Sequence, residues 1–216
     1  MTDPRPLSAR LKEDNWDLHE QAERDTLPQH LVRGTLPREA YVEMLGQMYL
    51  ANRVLDARIT EARGDVPILN ELVGDRQLQG PYLLEDLAFF GVEAGSLEPR
   101  PGTAALIAEI ERAASEEPIA LFGLHYVREG ANNGNRFVAM KVRAAYGLEG
   151  TDGTRYLDPY GGDQRRLWDE FKTRLDEQAL SEDEKSSIVA SARRMFELIM
   201  ATHRDHDLPE PAGTAG

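Results

Sequence analysis

The sequence predicts an all-α fold, and three observations carry the prediction. Apolar residues recur at spacings of three and four along most of the chain. Pro37, Pro101, Gly34, Gly64, Gly74 and Gly80 fall at the borders of these periodic segments. No segment reads convincingly as a strand, and no internal repeat is present. A length of 216 residues suits one domain with a substantial core and is short for two.

The elements follow in order. From Leu7 to about Arg24, Leu7, Leu11, Leu18 and Ala22 form one apolar stripe with Asn15 and His19 on its edge. Gly34 closes a loop, and Pro37 opens a long helix in its first turn. That helix repeats Tyr41, Leu45, Met48, Asn52, Leu55 and Ile59 and ends near Ala62. Gly74, Gly80 and Pro81 then separate two short helices. Pro101 starts a helix carrying Leu106, Ile107 and Ile110. A stretch from Pro118 to Gly150 follows, helical at both ends, with Leu121, Leu124, Tyr126 and Val127 before its centre and Phe137, Met140 and Ala144 after it. Residues 147–162, with five glycines, read as a mobile loop. Leu167, Phe171 and Leu175 mark the next helix, and Ser181 with Glu184 forms a capping box for the last, which carries Ile188, Ala192, Met195, Phe196 and Ile199. The domain is expected over residues 1–206, with a disordered tail over 207–216.

Composition excludes several function classes. Without Cys there are no disulfides, thiolate metal sites or cysteine nucleophiles. A net charge of -13 argues against nucleic acid as a partner. The N-terminus has no apolar leader, and no apolar run approaches a membrane span, so a soluble cytoplasmic protein is expected. A local basic cluster is expected from Arg136, Lys141, Arg143, Arg165, Arg166, Lys172 and Arg174. No Ser/His/Asp arrangement and no phosphate-cradling glycine loop is recognisable.

The chain is organised around the centre of the 118–150 stretch, Gly130-Ala131-Asn132-Asn133-Gly134-Asn135. A glycine inside a helix costs about 1 kcal/mol relative to alanine, so two of them four residues apart need a reason. Gly130 and Gly134 share a face and strip it to bare backbone. Either another helix packs closely there, or the helix bends and a wide flat ligand lies against it. The crowding of Asn132, Asn133 and Asn135, all poor helix formers, favours a kinked helix over a large planar ligand.

There are five histidines. His19, at a stripe edge, is a candidate ligand, with Glu23 one turn on to orient its imidazole. His125 and Glu129 stand at i, i+4, and His203 and His206 at i, i+3 in a polar run that is expected to be solvated. Together these offer the parts of a carboxylate-bridged di-metal centre in a helix bundle.

The order of these features resembles the heme oxygenase family from about Leu7 to His206. LKEDNWDLHEQAE is similar to the family's proximal helix, with His19 at the axial heme ligand and Glu23 at a family glutamate. YLLEDLAFFG is similar to a segment ahead of the family's fourth major helix. YVREGANNGNRF matches the glycine-rich distal helix, in particular the bacterial branch that reads Tyr, Val, any residue, Glu, Gly. The resemblance implies a helical bundle with a kinked distal helix and heme as both substrate and cofactor. It places Gly130 and Gly134 over the iron, Tyr126 in the heme site, and Lys12 and Lys172 near the propionates. It implies ring opening to biliverdin, carbon monoxide and ferrous iron, using dioxygen and external electrons. The donor would be a ferredoxin or a flavin reductase docking on the basic cluster, since the chain has no flavin or nicotinamide motif.

Two positions depart from the family's common pattern. Ala131 stands where many members carry an aspartate that anchors proton-delivering waters, and Asn135 stands where glycine is common. Asn132 or Asn133 would organise the waters instead. A heme binder without turnover and a di-iron oxidase using His19, Glu23, His125, Glu129 and His203 are the alternative readings.

Overall fold

The computed structural model describes residues 3–211, and among them the regular structure is helical throughout. The first apolar stripe forms two helices rather than one, α1 (Leu7–Glu13) and α2 (Trp16–Arg24). The break is local: the buried Asn15 turns its side chain back onto the Leu11 carbonyl, 2.7 Å away. That competes with helix continuation. Leu7, Leu11, Leu18 and Ala22 are all buried, as the stripe predicts.

The next segment carries a helix that the sequence reading passed over, α3 (Thr26–Arg33). Gly34 does not close a loop there; it ends α3 in the left-handed conformation (φ 67°), the usual helix C-terminal role of glycine. α4 (Arg38–Ala62) follows Pro37, and Tyr41, Leu45, Leu55 and Ile59 line its buried side. α5 (Pro67–Leu72) and α6 (Gly80–Phe89) are the two short helices, each with proline in its first turn. α7 (Pro101–Glu116) begins at its predicted proline.

α8 (Ala120–Tyr146) is the axis of the molecule and runs unbroken through Gly130–Gly134. α9 (Gln164–Asp176) and α10 (Glu182–Arg204) complete the bundle. The capping box is present: Glu184 N donates to Ser181 Oγ at 3.2 Å, and Ser181 N to Glu184 Oε2 at 2.8 Å. α10 packs along both α8 and α7, and α4 packs on α6 and α7. One apolar core gathers the first half of α8 with α1, α4, α5, α7, α9 and α10; a second joins α3, the start of α4, α6 and the second half of α8.

The loop after α8 is tied down rather than loose. The buried Asp86 accepts the backbone N–H groups of Arg155 and Tyr156, both at 2.8 Å. Tyr41 Oη donates to the Gly153 carbonyl at 2.8 Å, and Arg143 holds Thr154 and Asp158. Beyond α10, His30 contacts the Pro209 carbonyl through Nε2 at 2.8 Å, so the segment expected to be a free tail starts with residues attached to α3. Residues 212–216 lie outside the described residues.

Candidate functional site

The second half of α8 turns an apolar face to solvent. Phe137 is 72 % and Met140 59 % exposed, and Ala131, Gly134, Lys141 and Ala144 are exposed with them. Val138, Ala139 and Val142, on the opposite side, carry the packing instead. Gly130, Gly134, Phe137, Lys141 and Ala144 share one helical face by their spacing. Large apolar side chains on solvent are costly and mark a surface that something covers.

The two glycines of this face differ. A Cβ at Gly134 would have no atom within 4 Å, so no helix packs on it. At Gly130 a Cβ would lie 3.3 Å from Cη2 of Trp168. Trp168 belongs to α9, and its ring leans on Tyr126 (centroids 5.4 Å apart) and stacks on Phe171 (5.5 Å). Lys172 Nζ lies 6.0 Å from the Trp168 ring centre and 3.0 Å from Asp169. Tyr126, Gly130 and Lys172 are thus brought together around an indole that the sequence reading did not single out. The available signal was spacing: Trp168 precedes Lys172 by one turn.

His19 lies on a second side of the bundle. Its ring stacks on Trp16 (5.2 Å, 6° between planes) and meets Phe196 of α10 edge-on at 5.9 Å. Nδ1 is buried without a hydrogen-bond partner and faces Glu23 Oε1 at 3.8 Å, too long for a direct bond. The side chain is 42 % exposed overall. Lys12 Nζ sits 5.9 Å from the Trp16 ring. Lys12, His19 and Glu23 therefore form one group, again around a tryptophan. No hydrogen bond or ring contact among the described residues joins this group to the one at Trp168. The connection runs through α10, which carries Phe196 and packs on both α2 and α8, and through α1, which carries Lys12 and packs directly on α9.

The amides beside the glycines are engaged with protein. Asn132 is buried, its Nδ2 3.4 Å from Glu129 Oε2, and its Oδ1 accepts from Gln79 at 3.4 Å. Asn133 donates to the Gly130 carbonyl at 2.9 Å and accepts from Gln164 at 3.2 Å. Behind them lies a polar network that the sequence did not reveal. Arg128 Nη1 meets Asp56 Oδ1 at 2.5 Å, and Asp56 also accepts Gly80 N–H at 2.7 Å. Arg128 Nη2 lies 2.9 Å from His125 Nδ1. Burial, then the charges of Arg128 and Arg63, hold His125 well below the usual histidine range. Burial likewise pushes Glu129 up to about 7, opposed by its hydrogen bond from Tyr160 Oη at 3.0 Å and by the charges of Arg128 and Arg76.

The expected di-metal grouping does not form, and the expected basic cluster is largely paired with acidic neighbours. His125 is bonded to Arg128, Glu129 to Tyr160, and His203 to Asp25 (3.0 Å), each inside its own surroundings, so the di-metal set is dispersed. Among the described residues no group of three or more His, Asp or Glu is placed to hold a metal. His206 is buried rather than solvated, and His203 is paired. The basic cluster is largely neutralised: Arg143 pairs with Asp158, Arg165 and Lys172 with Asp169, and Arg166 with Asp163 and Glu170. Arg174 is bonded to the Glu71 carbonyl. Arg136 and Lys141 are the members without such a partner among the described residues.

A half-exposed histidine with an adjacent carboxylate and a glycine-bearing apolar helix face are joined here to a recognisable whole chain. The family model described as heme oxygenase matches residues 5–205. The chain belongs to the heme oxygenase family. A heme oxygenase from Porphyra purpurea is 22% identical over 90% of this chain and 84% of its own. Among solved structures, the heme oxygenase of Leptospira interrogans superimposes with a TM-score of 0.85 at 22% identity, covering 92% of this chain and 98% of its own. Heme oxygenase-2 from Synechocystis sp. PCC 6803, solved in complex with heme and NO, gives 0.87 at 23%, covering 93% and 85%. These likenesses establish the family's all-α single-domain bundle for this chain. No helix among the described residues is long and apolar enough to cross a membrane.

Proposed function

We propose that this chain is a heme oxygenase in activity as well as in family, opening heme to biliverdin. The observation that carries the reading is His19: an imidazole on a family-matched helix whose buried Nδ1 is turned to Glu23, leaving the other ring nitrogen for a ligand. The residues present suit heme in three further ways. Gly134 leaves its face bare, Phe137 and Met140 offer apolar surface for a flat ring, and Trp16 offers a separate apolar ring beside His19. Drawn from 3.8 Å into hydrogen-bond distance of Nδ1, the Glu23 carboxylate would fix the tautomer and raise the basicity of the coordinating nitrogen.

In this reading His19 would hold the heme iron and Glu23 would orient its ring, with Gly134 supplying a helix surface free of side chains and Gly130, under Trp168, bordering it. Bound heme supplies iron for dioxygen chemistry and is itself the substrate, yielding biliverdin, carbon monoxide and ferrous iron. Lys12 lies beside Trp16, where its ammonium group would meet a propionate carboxylate; Lys172, beside Trp168, would do so by exchanging Asp169, 3.0 Å away, for the ligand. Ala131 supplies no carboxyl, so proton delivery would fall to Asn132, Asn133, backbone groups and solvent, with Glu129 of the YVREG motif, 3.4 Å from Asn132 Nδ2, the buried acid in contact with these amides. Electrons come from a ferredoxin or a flavin reductase, and Arg136 and Lys141, flanking Phe137 and Met140, are the basic residues left to meet it.

A hemin titration followed by reduction in air tests the reading. The expected result is a sharp Soret band that bleaches to a bilin spectrum. A Soret band that persists under a strong reductant would make the chain a heme binder without turnover, and no band at all would remove heme altogether.

A further inference from the structure

We propose that Trp168 is a specificity-determining wall of the site, reserving the Gly130 end of the α8 face for itself and confining a flat ligand to the Gly134–Ala144 end. The inference rests on the heme reading above and concerns how the ring is seated. The family resemblance puts both glycines under the ligand. Here Cη2 and Cζ2 of the indole lie 3.3 and 3.6 Å from where a Gly130 Cβ would stand, while the same position at Gly134 is open. A porphyrin and this indole cannot share the Gly130 surface.

The indole is held from behind, which makes it a wall rather than a gate. It stacks on Phe171 with planes 16° apart, Phe171 stacks on Phe122 at 5.9 Å, and Tyr126 closes the side at 5.4 Å. One turn earlier on α9, Gln164 bonds Asn133, which bonds the Gly130 carbonyl, so α9 is fastened to α8 at this same point. Moving the indole aside would break the aromatic stack. The four bridging carbons of a porphyrin are chemically close to one another, so the choice among them depends on where the edge of the ring stops. Trp168 sets that stop, and with it a single seating and a single bilin isomer.

Trp168→Phe and Trp168→Ala test this. The first keeps a ring in the stack while withdrawing the outer six-membered ring that covers Gly130; the second uncovers Gly130 fully. Each protein is loaded with ferric hemin and cyanide, and the shifted ring-methyl resonances in proton NMR count the seatings without turnover. The wild type is expected to give one set. Both variants are expected to give a second set, the ratio changing on the order of tenfold or more, as for other losses of steric discrimination in a pocket, with mixed isomers on turnover. One unchanged set and one unchanged isomer in folded variants would overturn the wall. If Trp168→Ala does not fold, Trp168→Phe decides alone. Two sets already in the wild type would overturn the wall and leave the heme reading standing, whereas no hemin binding by the wild type would overturn both.

Discussion

The two halves of α8 use glycine for opposite purposes. In the first half, Ala120–Glu129 are all buried. A Cβ on Gly123 would overlap Ser191 Oγ and the Ile188 carbonyl of α10. Gly123 is therefore a packing glycine, there so that two helices can touch. In the second half a Cβ on Gly134 would touch nothing, and the neighbouring Phe137 is exposed. The close packing that the Gly130/Gly134 spacing first suggested is found on the same helix, but seven residues earlier. At the end of the buried half, His125, Arg128 and Glu129 place a polar network among the core residues Tyr126 and Val127, just before the exposed face begins.

Breaking the core half should cost most. Asp56→Ala leaves the Arg128 guanidinium buried without its carboxylate, and about 3–5 kcal/mol of stability should be lost, read from urea unfolding. Gly123→Ala forces α8 and α10 apart and should cost about 3 kcal/mol, the upper end for overpacking. The third effect depends on pH. Burial raises Glu129 from 4.5 to about 7, so the folded protein holds a proton that the unfolded chain has already released. Its contribution is complete below about pH 4.5 and disappears as pH rises through 7, on the order of 2–3 kcal/mol between pH 5 and 8. Asp86, pushed up to about 6 by burial, has the same sign. The test is therefore the difference between wild type and Glu129→Gln, whose stability should fall less steeply over that range. Smallest is Gly134→Ala, which should raise stability by up to about 1 kcal/mol through helix propensity, read from the same urea unfolding. If Gly134→Ala destabilises as strongly as Gly123→Ala, the contrast between the halves is wrong.

Much of this was legible in the sequence, for identifiable reasons. The stripes of α1, α2 and α4 fall on buried residues because a strong 3.6-residue period leaves one face for the core. α3 was passed over because Pro28 interrupts its short pattern, although Asp25, Leu27, Leu31 and Gly34 mark its start, face and end. Phe137, Met140 and Ala144 were legible as one helical face but not as an exposed one, because periodicity does not say what covers a face. The 147–162 loop reads as mobile from its glycines; what restrains it is Asp86 of α6, Tyr41 of α4 and Arg143 of α8, side chains distant in sequence or on another element. Of the candidate site proposed above, His19, Glu23 and the glycines were legible from their spacing and the family pattern. Trp16 and Trp168, around which the two groups are built, were not, since a tryptophan on a helix reads as packing until its neighbours in space are known.

The central claim is that His19 binds the heme iron. Hemin titrations of wild type and His19→Ala, followed by absorption spectroscopy with and without added imidazole, test it most directly. The ring is half-exposed and stacked on Trp16 rather than buried in the core, so His19→Ala should remain folded. It should lose the histidine–heme spectrum of the wild type and regain it when imidazole is added. A spectrum in folded His19→Ala identical to that of the wild type, without imidazole, would contradict the account.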